Sequence, residues 1–214
     1  MKIAVFGTGL VGNTIATKLI QLGHAVMMGA RTADNDKAAE WVNASGPQAT
    51  QGTFADAAKF GELLFNCTAG AASLEALQQA GAENMRGKIL VDLANPLVFD
   101  KGMPVLTVSN TDSLGEQIQR TFPEVKVVKT LNTINCEVMV NPAMLPGEHD
   151  IFVGGNDAAA KAEVTTILKD WFGWQSVIDL GDITSARATE QYLPFWLRLM
   201  GTLGTVRFNI KIVR

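Results

Sequence analysis

The sequence predicts an α/β fold: a doubly wound, mostly parallel sheet with a small C-terminal αβ extension. Three observations predict it. Short apolar runs rich in β-branched residues alternate with amphipathic stretches of helical period along most of the chain. A glycine-rich turn joins the first run to the first helix, and the later runs open into polar loops. Strands alternating with helices in this way form parallel sheets through right-handed crossovers. Residues 1–133 carry the regular alternation; residues 134–214 form a smaller extension that packs on the crevice as part of one structural unit.

In chain order, KIAVF (2–6) reads as a strand buried on both faces. GTGLVG follows, and Val11, Ile15, Leu19 and Leu22 then recur on one helical face until Gly23 stops the helix. HAVMMG begins the second strand, and residues 34–46 make a helix ending at Gly46. A short third strand lies near QAT, followed by a helix in TFADAAKFG. ELLFNCT (62–68) is the fourth strand, GAASLEALQQAG a helix, and KILVDLANP (88–96) the fifth strand, running into a proline. DSLGEQIQRTFP (112–123) is amphipathic, and KVVKTLNT (126–133) is another strand. In the extension, DIFVGG (150–155) and QSVIDLG are strands flanking the helical DAAAKAEVTTILKDWFG. Residues 185–204 are helical, with Pro194 marking a kink or the first turn of a second helix. The stretch from Leu193 to Leu203 is apolar on nearly every side, so protein must cover it, from its own core or a partner subunit.

Composition excludes several classes. The 214 residues are 47% hydrophobic and 18% charged with net charge −3, which offers no basic stripe for nucleic acid or an anionic membrane. No apolar run approaches the roughly 20 residues of a bilayer span. Cys67 and Cys136 have neither metal-ligand spacing nor a disulfide framework and read as packed, reduced thiols, consistent with a cytoplasmic protein.

The glycine turn carries the chemistry. Gly7, Gly9 and Gly12 form G-x-G-x-x-G between a strand and a helix, the context that makes this motif a dinucleotide site in a Rossmann-type fold. Gly7 makes the turn, Gly9 admits a pyrophosphate, and Gly12 lets helix and strand pack closely. The helix N-terminus supplies unpaired N–H groups and positive dipole. An NAD site places Asp or Glu about 20 residues further on. Here that position holds Ala30 and Arg31. Arg31 suits a 2′-phosphate, with Thr32 donating a hydroxyl, so NADP(H) is expected rather than NAD. Asp34 and Asp36 belong to the start of the next helix, and Lys37 offsets them. Ligands of such sheets lie beyond the carboxyl ends of the strands, where Thr68-Ala69-Gly70, Ala94-Asn95-Pro96 and Asn132-Thr133 fall. These are expected to line the nicotinamide half, with Asn95 and Asn132 facing its carboxamide or ribose. Neither a carboxylate pair nor a His/Cys cluster nor a nucleophile elbow stands out; His24 and His149 read as surface residues. Lys129 and Asn132 share the K-x-x-N spacing of hydroxyacid dehydrogenases, but on a strand residues three apart point to opposite sides. Hydride transfer between two stacked rings requires no acid–base side chain, which favours a flavin-like acceptor.

With these residues in place, the chain resembles the coenzyme F420-dependent NADP oxidoreductases along nearly its whole length. The resemblance rests on FGTGLVGNTIATKLIQLGHAVMMGAR, LANPL, KTLNTI, FVGGNDAAAKAEV, LGDITSARATEQYLPFWLRLM and the terminal FNIKIVR. It implies that Thr8, Gly9, Leu10 and Val11 cradle the pyrophosphate. It also implies that Ala30 and Arg31 hold the 2′-phosphate with a nearby lysine, here Lys37, and that Thr68, Pro96 and Thr133 border the two rings. A homodimer and direct hydride transfer to a deazaflavin are further implications. Ala30 stands where the family often has a hydroxyl residue, and Asn35 where it has the lysine. Two other readings stay open: reduction of a small imine or carbonyl compound, and a non-enzymatic NADP-binding redox sensor.

Overall fold

The computed structural model describes residues 1–99, 102 and 104–214. Strand β1 (Lys2–Phe6) is the centre from which the sheet grows in both directions. To one side the chain passes through helix α1 (Leu10–Gln21), β2 (Ala25–Ala30), α2 (Asp36–Ser45) and β3 (Ala49–Thr53). It then returns through α3 (Phe54–Phe60) and places β4 (Leu63–Asn66) on the other flank of β1. Helices α4 (Gly70–Ala80) and α5 (Ala82–Met85) lead to β5 (Ile89–Asp92), and a two-stranded hairpin of β6 (Leu97–Val98) and β7 (Val105–Leu106) follows. Helix α6 (Leu114–Thr121) leads to β8 (Lys126–Thr130) beside β5. All pairings from β3 to β8 in the main sheet are parallel, as the alternating sequence predicts.

The C-terminal segment continues this sheet. After α7 (Cys136–Val140), β9 (Asp150–Gly154) pairs antiparallel with β8, and after α8 (Ala158–Thr166), β10 (Ser176–Asp179) runs parallel to β9. The eight strands lie in the order β10-β9-β8-β5-β4-β1-β2-β3. Helix α8 does not end as an α-helix; its last turn widens over Ile167–Trp171, where Phe172 N–H donates to the Ile167 carbonyl at 3.4 Å. Helix α9 (Ala186–Leu203) is continuous through Pro194 rather than two helices. The proline removes one helical bond, to the carbonyl of Glu190, without breaking the helix.

The strands alternate between two cores. Ile3, Val5, Leu63, Phe65 and Val91 face α1, α2, α7 and α8, and Ala4, Leu64, Leu90 and Val127 face α3 to α6. Each fully buried aliphatic side chain contributes roughly 1.5–3 kcal/mol, which is why the sheet tolerates so few polar residues. On α9 the chain's own core covers only part of the apolar stretch. Leu193 is buried, whereas Phe195 and Leu203 are each 55% exposed. The short β6–β7 hairpin and α5 and α7 carry too few periodic residues to have been predicted.

Candidate active site

The functional face is the edge where β1, β2, β4, β5 and β8 end. Gly7 turns there with φ 108°, and its α-carbon lies so close to the next crossover that an added Cβ would sit 2.7 Å from the Cys67 carbonyl oxygen. Gly12 is tighter still: a Cβ would meet the Gly7 carbonyl at 2.0 Å. These two glycines close the turn against the helix. Gly9 differs, because nothing lies within 4 Å of its missing Cβ, so its backbone faces open cleft. No side chain caps α1, whose first helical bond runs from Asn13 N–H to the Gly9 carbonyl. The first-turn N–H groups are thereby left for a ligand. This donor set and this space fit a pyrophosphate.

The cleft has a volume of about 330 Å³ and runs from this turn to the end of β2. Gly7, Thr8, Gly9, Ala30, Arg31, Thr68 and Ala69 all line it, so the structure brings seven of the sequence-predicted residues into one site. Arg31 is exposed, Ala30 is buried at its base, and Asn35 borders the same space while its side chain accepts the Ala38 N–H at 3.1 Å. Phe54, Ala72, Ala76 and Gln79 form the opposite wall, a surface suited to a flat base that sequence reasoning did not pick out. Lys37 lies in a neighbouring groove with Thr17 and Trp41, which shares Thr8 and Gly9 with the cleft but not Arg31. Leu10 and Val11 begin α1, and Thr32 is exposed just after Arg31.

Over β5 and β8 the predicted polar loops meet each other. Asn95 Nδ2 donates to the Asn132 carbonyl at 2.8 Å, and Asn132 Nδ2 donates to Asn95 Oδ1 at 3.0 Å. Most of the amide capacity expected to face a carboxamide is thus turned inward; no donor among the described residues meets Asn132 Oδ1. Pro96 anchors the hairpin, its carbonyl accepting from Thr107 N–H at 2.7 Å, and Thr133 is buried beside Asn132. Leu131 sits at φ 61° although buried, a left-handed conformation costing roughly 1–2 kcal/mol for a side chain of this kind. The Asn95–Asn132 pair holds that loop in place. Gly70 permits the approach of the β5 loop: a Cβ there would lie 1.9 Å from the Asn95 carbonyl.

Beneath these loops lies a charged group that sequence reasoning missed. Lys129, fully enclosed, pairs at 2.9 Å with both Asp92 and Glu190. Burial pulls the Lys129 pKa down, but the two carboxylates more than reverse this and hold it above the ordinary lysine value. Glu190 also accepts the N–H groups of Leu114 at 2.8 Å and Gly115 at 3.0 Å, so it caps α6 from α9. Cys67 borders the cleft as a free thiol; burial pushes its pKa far up, with the Asp92 charge adding to the effect, so it is no nucleophile.

Comparison with known proteins finds similar chains. Residues 2–96 match the family model for NADP oxidoreductase, coenzyme F420-dependent. A solved structure from Arthrobacter sp. FB24, provisionally named an F420-dependent NADP-reductase, is 56% identical, superposes with a TM-score of 0.94 and covers 100% of both chains. The metalloreductase STEAP3 of Rattus norvegicus is 27% identical over 91% of this chain, which spans only 38% of that relative's length. An imine reductase from Myxococcus stipitatus shares the fold, with a TM-score of 0.62 and 20% identity over 95% of this chain and 63% of the other. No helix among the described residues is long and apolar enough to cross a membrane. The chain therefore belongs to the coenzyme F420-dependent NADP oxidoreductase family and is an NADP-dependent oxidoreductase.

Proposed function

We propose that this chain transfers hydride between NADP(H) and a flavin or deazaflavin acceptor of the coenzyme F420 type. One observation carries the reading above all: the 56% identity, without gaps in coverage, to a protein whose name bears that activity. When bound, NADPH supplies a hydride from its nicotinamide ring. The chain's own residues then have three tasks. Arg31 and the backbone around Gly9 hold the phosphates, and Thr68, Pro96 and Thr133 border the reacting rings. An open groove of about 620 Å³ between Leu10, Cys136, Met200 and Arg207 adjoins the glycine turn and offers a flat ring an entry beside the cofactor. Positioning of this kind supplies rate by fixing the distance between two rings and excluding water, without a proton donor.

We further propose that two copies associate through α9. Phe195 and Leu203 are exposed there, and the Tyr192 hydroxyl and Trp196 Nε1 are buried with no partner among the described residues. The test of function follows NADPH oxidation at 340 nm, with NADH in parallel, against coenzyme F420, FMN, FAD and ferric chelates. Turnover with F420 supports the proposal. Turnover with a flavin alone keeps the ring acceptor and identifies it as a flavin, turnover with iron alone moves the acceptor, and tight NADPH binding with no turnover against any of these acceptors refutes the proposal.

A further inference from the structure

Three neighbouring strands end in polar residues at the same level. Asn66 of β4 lies in register with Asp92 of β5, and Asp92 with Lys129 of β8. All three are buried, on the face of the sheet toward α6 and α9. They form one continuous row: Asn66 Nδ2 donates to Asp92 Oδ1 at 2.8 Å, and Lys129 Nζ donates to Asp92 Oδ2 at 2.9 Å. A row of this kind costs desolvation energy that apolar residues would not. Its connections show what the cost maintains.

Each member reaches up to a loop of the site. The Asn66 side-chain oxygen accepts the Thr68 hydroxyl at 2.6 Å, and Ser73 lies 2.7 Å from that same hydroxyl. Asp92 accepts the Ala94 N–H at 3.2 Å, and Lys129 donates to the Ala94 carbonyl. Ala94 is therefore gripped at both its backbone groups, one residue before Asn95 with its reciprocal pair to Asn132. At the far end Glu190 closes the row and ties it to α9.

We propose that Lys129 is the positioning residue for the nicotinamide half of the site. It acts through Asp92, Asn66 and Ala94 on the loops carrying Thr68 and Asn95, while the adenosine half over β2 is independent of it. The proposal rests on NADP(H) occupying the cleft. Arg31 and the wall formed by Phe54, Ala76 and Gln79 lie outside the row and make no hydrogen bond to it. A ligand that reaches only those residues is blind to Lys129.

The test compares two ligands on the full chain by calorimetry: NADPH, which spans both halves, and 2′,5′-ADP, which spans only the adenosine half. Lys129→Met is expected to raise the Kd for NADPH tenfold or more and leave that for 2′,5′-ADP within twofold. Parallel weakening of both ligands would assign Lys129 a purely structural role and overturn the proposal, as would no change in either. Should Lys129→Met lose its cooperative melt, Asn66→Ala removes the bonds from the row to Thr68 and Ser73 and leaves the Lys129 pairs to Asp92 and Glu190 in place. It is expected to weaken NADPH at least threefold with 2′,5′-ADP unchanged, and an unchanged NADPH Kd overturns the proposal. If the unaltered chain bound neither ligand, the NADP reading itself would fail, and this inference with it.

Discussion

Arg31→Ala removes the guanidinium that stands at the mouth of the cleft beside Ala30 and Asn35. This side chain is exposed, and among the described residues it makes no ion pair. Its loss therefore disturbs no packing, and the whole effect falls on the ligand. A charge-assisted bond contributes about 1.5–3 kcal/mol. Exposure to water places Arg31 near the lower end for a single bond, and two bonds from its planar fork raise the value. The expected loss of NADPH affinity is thus about ten- to a hundredfold, since each 1.4 kcal/mol is about tenfold. NADH lacks the 2′-phosphate and should bind the variant as it binds the parent. Fluorescence titration of both nucleotides against both proteins measures the ratio. A loss below about threefold for NADPH, or an equal loss for NADH, would refute the assignment of Arg31 to the 2′-phosphate.

Gly12→Ala should abolish detectable NADPH binding and lower the melting temperature, because its Cβ would press 2.0 Å from the Gly7 carbonyl, where only backbone can give way; calorimetry and thermal melting check both. Phe195→Asp, at an exposed site on α9, should yield monomers in sedimentation velocity if two copies associate there, and an unchanged state would refute that surface. The Glu116 carboxyl is held below its ordinary value of 4.5, chiefly by its hydrogen bond to Arg187. A depressed folded-state pKa stabilises above the unfolded value and loses that stability as pH falls through the folded one. Melting temperature should therefore drop as pH falls below about 4.5, and Glu116→Gln should flatten that slope. Cys67 should resist iodoacetamide at pH 8 in the folded chain and react on unfolding, as read by mass spectrometry, because burial raises its pKa.

The cleft beside the glycine turn was legible in the sequence because its determinants are local. Gly7, Gly9 and Gly12 fall within one turn, and Arg31 follows at the end of the next strand, so spacing alone places them together. The loops over β5 and β8, expected to face the nicotinamide, depend on pairings across the sheet. Asn95 and Asn132 were each visible as loop residues, but their mutual bonds join positions 37 apart and turn the amides toward each other. The Lys129–Asp92–Glu190 group was invisible as a cluster for the same reason. A signal did exist: LLFN, ILVD and KVVK each end an apolar run on a polar residue, and in-register parallel strands bring such ends side by side. The K-x-x-N argument assumed a strand through Asn132, whereas β8 ends at Thr130 and the chain turns at Leu131; Lys129 pairs within the sheet core and Asn132 within the loops. Helix α9 was legible in a different way. Its apolar run signalled burial, and the chain's own core takes up only part of it, a quantity no periodicity reports.

The antiparallel step between β8 and β9 has a practical consequence. Because the chain reverses there, the turns that end β9 and β10, at Gly155 and Gly181, emerge on the rim opposite the nucleotide cleft, near Lys126 and Asp157. Helix α9 then carries the chain back across the sheet, so that Met200 arrives beside Leu10. The nucleotide cleft and these turns thus lie at opposite rims of the sheet. The turn around Gly181, exposed and not among the residues that line the cleft, is the natural handle for a fluorophore, a surface tether or a fused partner enzyme.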